Sequence, residues 1–114
     1  MLLAALTSRR YWALAGTWLE TERAEYRLAM SFLQAGDAAQ ARHHAQSCLD
    51  IVQMNGGAAL ERFYAHEALG LVAGAAGDGP ALAQAQVQAQ AAFAQLSAAD
   101  QDSCRGSLDK LQAR

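Results

Sequence analysis

Apolar residues along this chain of 114 residues recur at helical spacing. Leu28, Ala29, Phe32 and Leu33 form one stripe with a period of about 3.6 residues. Ala41, Ala45, Cys48, Leu49 and Val52 form a second stripe, and Ala65, Ala68, Leu69, Val72 and Ala76 a third. Gly36-Asp37, Asn55-Gly56-Gly57 and Gly77-Asp78-Gly79-Pro80 interrupt the pattern and divide the chain into pieces of helical length. Six helices are predicted, over about 2–15, 17–35, 37–55, 58–76, 80–96 and 98–111. Asp37 and Ser97 stand where a side chain can cap the first free amides, with Gln40 and Asp100 three residues on. Pro80 suits a first helical position, where its missing amide proton costs nothing. Asn55-Gly56 suits a left-handed C-cap. One stretch conflicts with the scheme: residues 83–90 read AQAQVQAQ, a strict alternation that fits a strand. Ala and Gln favour helix, so propensity decides for helix here.

Composition supports that choice. The chain holds 28 Ala and 11 Gln but only three Val, one Ile and three Thr. So few β-branched residues leave nothing to build a sheet with. Hydrophobic residues make up 53% and charged residues 18%, enough apolar surface to offset the entropy of folding. An all-α fold of one domain is expected.

Charge and cysteines narrow the function classes. The net charge is -2, and the one basic pair, Arg9-Arg10, is too short to track a phosphate backbone, so no nucleic-acid partner is expected. Cys48 and Cys104 form neither a disulfide framework nor a paired zinc motif, which suits a reducing cytoplasm. Positive charge follows the short apolar run 1–6 instead of preceding it, opposite to a secretion signal. No apolar run approaches the length of a membrane span, so no membrane association is expected.

Two Gly-Asp turns, at Gly36 and Gly77, repeat within the pattern and suggest two helical hairpins, over about 17–55 and 58–96, with flanking helices over about 2–15 and 98–111. Leu69-Gly70, Phe32 and Ala41 occupy positions resembling the Leu-Gly pair, the aromatic position and the small crossing residue of tetratricopeptide repeats. Ala83 reaches the matching small position in the second hairpin with one inserted residue. Three motifs in order, Ser8-Arg9-Arg10-Tyr11-Trp12, residues 43–49 (HHAQSCL) and residues 63–69 (FYAHEAL), also resemble a set of small bacterial proteins of tetratricopeptide-like fold. The resemblance implies a right-handed α-α superhelix and no particular activity. That set begins with one more helix, which implies that a capping helix is missing here.

Candidate chemistry lies in three places. Arg23, Tyr26, Arg27 and Met30 share one helix face, and the resemblance sets Tyr64 and Glu67 beside them on a concave surface. Two Arg, two Tyr and a Met would suit an acidic peptide tail, although the arginines equally suit ordinary pairing with Glu20 and Glu22. His44, Cys48, His66 and Glu67 fall at similar levels of two antiparallel helices. Together they would suit a metal ion or a thiol nucleophile with a His base. Cys48 on an apolar stripe equally suits an inert core thiol. Arg9, Arg10, Tyr11, Trp12 and Trp18 form an aromatic and basic cluster that suits a partner contact or simple anchoring. The Gln-rich run 84–95 suits a solvated face or, less simply, a self-association surface. No phosphate loop or nucleophile elbow is present. The expectation is a non-enzymatic module without cofactor that binds a peptide or protein and forms a homodimer, since two hairpins leave faces unburied. The alternative is a small metal-binding or thiol enzyme.

Overall fold

The computed structural model describes residues 18–114. The helix expected over 2–15 and the cluster of Arg9, Arg10, Tyr11 and Trp12 lie outside the described residues. Five helices follow one another: α1 (Trp18–Gln34), α2 (Ala38–Met54), α3 (Ala59–Ala76), α4 (Gly79–Ala94) and α5 (Ala98–Gln112). The alternating stretch 83–90 lies wholly inside α4.

Turn chemistry sets the helix ends. Asp37 Oδ1 accepts from the Gln40 amide at 3.0 Å, and Asp78 Oδ1 from the Ala81 amide at 3.1 Å. Ser97 Oγ accepts from the Asp100 amide at 3.2 Å. Each cap satisfies an amide that has no partner within its helix and is worth about 1 kcal/mol. Gly77 closes α3 with φ at 72°, a left-handed conformation in which a side chain would be strained.

The helices pack in adjacent pairs, α1 on α2 and α3 on α4, with α2 also lying against α3 and α5 against α4. Along one side α1 meets α3 and α3 meets α5. On the other side α2 and α4 do not touch. The described residues span 42 × 34 × 20 Å. Among them, no helix is long and apolar enough to cross a membrane.

The core has two characters. Between α1, α2 and α3 it is built of Ala29, Ala41, Ala45 and Ala68 with Val72. Between α3, α4 and α5 it is built of larger groups, with Phe63 fully buried against Phe93, Leu108 and Leu111. Small residues let the backbones approach closely in the first hairpin, while aromatic and leucine side chains fill wider space in the second. Gly70 sits at a local close approach within the second hairpin. A Cβ there would lie 2.6 Å from Leu111 Cδ1 and 3.2 Å from Ala85 Cβ, so only hydrogen lets α3, α4 and α5 converge.

Three stripe assignments differ from the sequence pattern. Ala83 is exposed, and Ala85 and Ala89 take the buried positions on α4. The start of α4 at Gly79-Pro80 sets its rotation, which turns residues 82, 85, 89, 92 and 93 inward. Leu28 is 41% exposed, and Ala76 is exposed at the end of α3. Conversely, Glu22 and Glu61 are buried although both are acidic.

Candidate functional site

The first region lies where α1 meets α3. Tyr26 and Tyr64 meet edge to face, with ring centroids 5.7 Å apart at 71°. The Tyr26 hydroxyl donates to Glu67 Oε1 at 2.9 Å. Burial, then the Glu67 charge, pushes the Tyr26 phenol up. Glu67 is only 7% exposed. Burial raises its carboxyl, partly offset by hydrogen bonds from Tyr26 and from Ser107 on α5. Glu67 therefore ties three helices together. Cys104 Sγ lies 3.6 Å from the Tyr64 hydroxyl oxygen. That contact, then burial, holds the Tyr64 phenol up at about 12.

Arg23 turns to α3 as a fork. Its Nη2 donates to Glu61 Oε2 at 2.9 Å and its Nε to Glu61 Oε1 at 3.4 Å. Glu22 is a lesser partner, 3.9 Å away. Met30 is half-buried against the alanine cluster, and Arg27 is exposed. Tyr26, Tyr64 and Glu67 are thus brought into contact, while Arg23 is neutralised by Glu61. An acidic peptide tail would meet one paired arginine, one exposed arginine and the Glu67 carboxylate. Charge on this face does not favour such a ligand.

Beneath Arg23 lies a buried acid. Glu22 is 1% exposed, and its Oε2 accepts from Cys48 Sγ at 3.3 Å. Its Oε1 accepts no hydrogen bond while both carboxyls of the pair are ionised. A proton on Glu22 turns that oxygen into a donor to Glu61. Burial, then the hydrogen bond with Glu61, raises the Glu22 carboxyl to about 8. Burial also acts upward on Glu61, but hydrogen bonds from Arg23 and Glu22 outweigh it and hold that carboxyl below its usual range. The pair shares one proton at neutral pH. Burial and the Glu22 hydrogen bond raise the Cys48 thiol well above its ordinary value. A thiol held protonated is a poor nucleophile and a poor metal ligand.

The four residues His44, Cys48, His66 and Glu67 do not converge. His44 Nδ1 lies 2.7 Å from Glu25 Oε1, and its ring stacks on Phe32 at 5.4 Å and 1°. Cys48 turns to Glu22, and Glu67 to Tyr26 and Ser107. His66 lies on the opposite side, where burial and the nearby Arg62 lower its imidazole. Among the described residues, no three His, Cys, Asp or Glu side chains are grouped to hold a metal ion. Consecutive residues on a helix point about 100° apart, so His66 and Glu67 cannot serve one neighbour.

The second region is a groove that the sequence did not signal. Because α2 and α4 stand apart, a cavity of about 680 Å³ opens between them over the outer face of α3. Leu49, Leu69, Val72, Ala73 and Ala85 are among its apolar lining, and Arg42, Gln46, His66, Gln84 and Gln88 are among its polar positions. Ala38, Ala39 and Ala81 keep the walls low.

No protein family model matches this chain, and no curated protein or solved structure matches it significantly. The tetratricopeptide resemblance therefore stands on sequence motifs alone. The structure itself shows a small all-α arrangement of five described helices packed in adjacent pairs.

Proposed function

We propose that this chain is a non-enzymatic, tetratricopeptide-like interaction module that binds an amphipathic segment of a protein partner in the groove between α2 and α4. The observation that carries the reading is the groove itself, about 680 Å³ over α3, within the size range of sites that take a ligand. An amphipathic helix laid there would place small apolar side chains on Leu69, Val72 and Ala73 and polar ones against Arg42 and the glutamine amides. Contacts of α1 with α3 and of α3 with α5, with α2 and α4 apart, support the tetratricopeptide-like reading. The thiol-enzyme alternative gains nothing from a Cys48 held protonated against Glu22. Two free, buried cysteines suit a reducing compartment such as the cytoplasm.

The test is selection of binders from a display library of amphipathic peptides, followed by amide chemical-shift mapping. Shifts are expected at Leu49, Leu69 and Ala85, and Ala39→Trp, at an exposed position on the groove wall, should abolish them. Binders that shift only the Tyr26–Tyr64 face, or that bind Ala39→Trp equally well, would refute the groove reading.

A further inference from the structure

Helix α4 carries a second surface beside the groove. No Asp, Glu, Lys, Arg or His occurs between Asp78 and Asp100, so the whole of α4 is free of ionisable side chains. Its inward face is buried in the core, yet its outward face is uncharged as well. Ordinary solvent-facing helices carry charge, and loss of charged residues is the compositional mark of an interface centre. On that face Pro80, Gln84, Val87, Ala91 and Ala94 are all exposed and are spaced four, three, four and three residues apart. That is the spacing of a coiled-coil seam. Val87, its one large aliphatic group, is 65% exposed.

We propose that this seam is an interface between two copies of this chain, paired antiparallel through α4 about a two-fold axis at Val87. Three features favour a second copy over another occupant. First, the contact in a two-fold dimer must be complementary to itself. A charged face would set like charges opposite each other, and this face carries none. Second, Val87 stands at the midpoint of Gly79–Ala94, where an antiparallel pair brings a residue onto its own copy. Third, the register about Val87 sets Pro80 opposite Ala94, large against small, and Gln84 one residue short of Ala91. A parallel pairing would align the helix dipoles unfavourably. The seam goes beyond the groove reading and does not depend on it. Gln84 stands on the crest between the two surfaces, and Val87 lies outside the groove lining. A single pair of short helices covers less than the area of a standard stable interface, so the dimer is weak and reversible.

The test is sedimentation of the full chain from about 10 µM to about 1 mM, a range chosen for a weak interface. The mass should rise from 12.1 kDa toward twice that value. Val87→Glu sets two carboxylates on the axis at a position already exposed. It should keep the helical circular dichroism and remain monomeric throughout. Under mild oxidation Val87→Cys should form a covalent dimer that the wild type, with Cys48 and Cys104 fully buried, does not form. A wild type that stays monomeric at the highest concentration overturns the proposal. So does a dimer that Val87→Glu leaves intact or that Val87→Cys does not trap.

Discussion

Replacing Glu22 by Gln should remove a pH dependence of stability that the buried acid creates. In the folded chain burial and Glu61 raise the Glu22 carboxyl from 4.5 to about 8. The unfolded chain releases that proton near 4.5, so between 4.5 and about 8 the folded state holds one proton more. Stability contributed by Glu22 is full below 4.5 and is lost as pH rises toward 8, at about 1.4 kcal/mol per pH unit. Over the whole window the loss is at most about 5 kcal/mol, against a total stability of roughly 6–17 kcal/mol for a chain of this length. Gln mimics the protonated acid: its amide can donate to Glu61 while its oxygen accepts from Cys48. Other groups titrate nearby. Glu67, also raised, adds to the loss with rising pH. His66, lowered, opposes it, because its contribution is lost as pH falls below about 6.5. Glu61, lowered, contributes stability that is lost only on acidification below 4.5. The difference between wild type and Glu22→Gln isolates Glu22. Urea unfolding followed by circular dichroism at pH 5, 6, 7 and 8 should give near-equal stabilities at pH 5. The variant should lead by several kcal/mol at pH 8, with the gap widening at each step. A gap that stays constant from pH 5 to 8 would refute the buried, protonated state of Glu22.

Three further outcomes are expected. Gly70→Ala should lower stability by about 1–3 kcal/mol, because its Cβ would overlap Leu111 by more than helix propensity returns; a thermal melt at or above the wild-type midpoint would contradict the close approach. Tyr26→Phe removes the donor to a nearly buried Glu67 and should cost about 1–3 kcal/mol in urea unfolding, and an unchanged midpoint would mean that the bond contributes nothing. Both cysteines should resist a thiol reagent at pH 8 in the native chain and react together once denaturant unfolds it, whereas a fast-reacting thiol would restore the case for thiol chemistry.

Much of the helical layout was readable along the chain, because turn and cap chemistry is local. Asp37 and Ser97 do at each start what their spacing to the next amides predicts, and Asp78 and Gly77, read only as turn residues, act as caps by the same local chemistry. The stripe Ala41, Ala45, Cys48, Leu49 and Val52 is buried in full. The candidate site was readable only in part. Tyr26, Tyr64 and Glu67 meet, but the partner of Arg23 is Glu61, 38 residues away, and no local pattern marks that pairing. Glu22 stands near the polar start of α1, beside Glu20. It is buried because Cys48 and Glu61, brought in by other helices, give it hydrogen bonds that water would otherwise supply.

By itself, then, the sequence determined where helices start and stop, which alanines face inward on α1 and α2, and that the stretch from Gly79 to Ala99 is free of charge. Periodicity measures angles about a helix's own axis, and those decisions need nothing else. The tertiary structure alone decided how each helix is rotated against its neighbours. That rotation sends His66 to the groove and Glu67 to Tyr26, turns Ala83 out and Ala85 in, and keeps α2 and α4 apart so that a trough opens over α3.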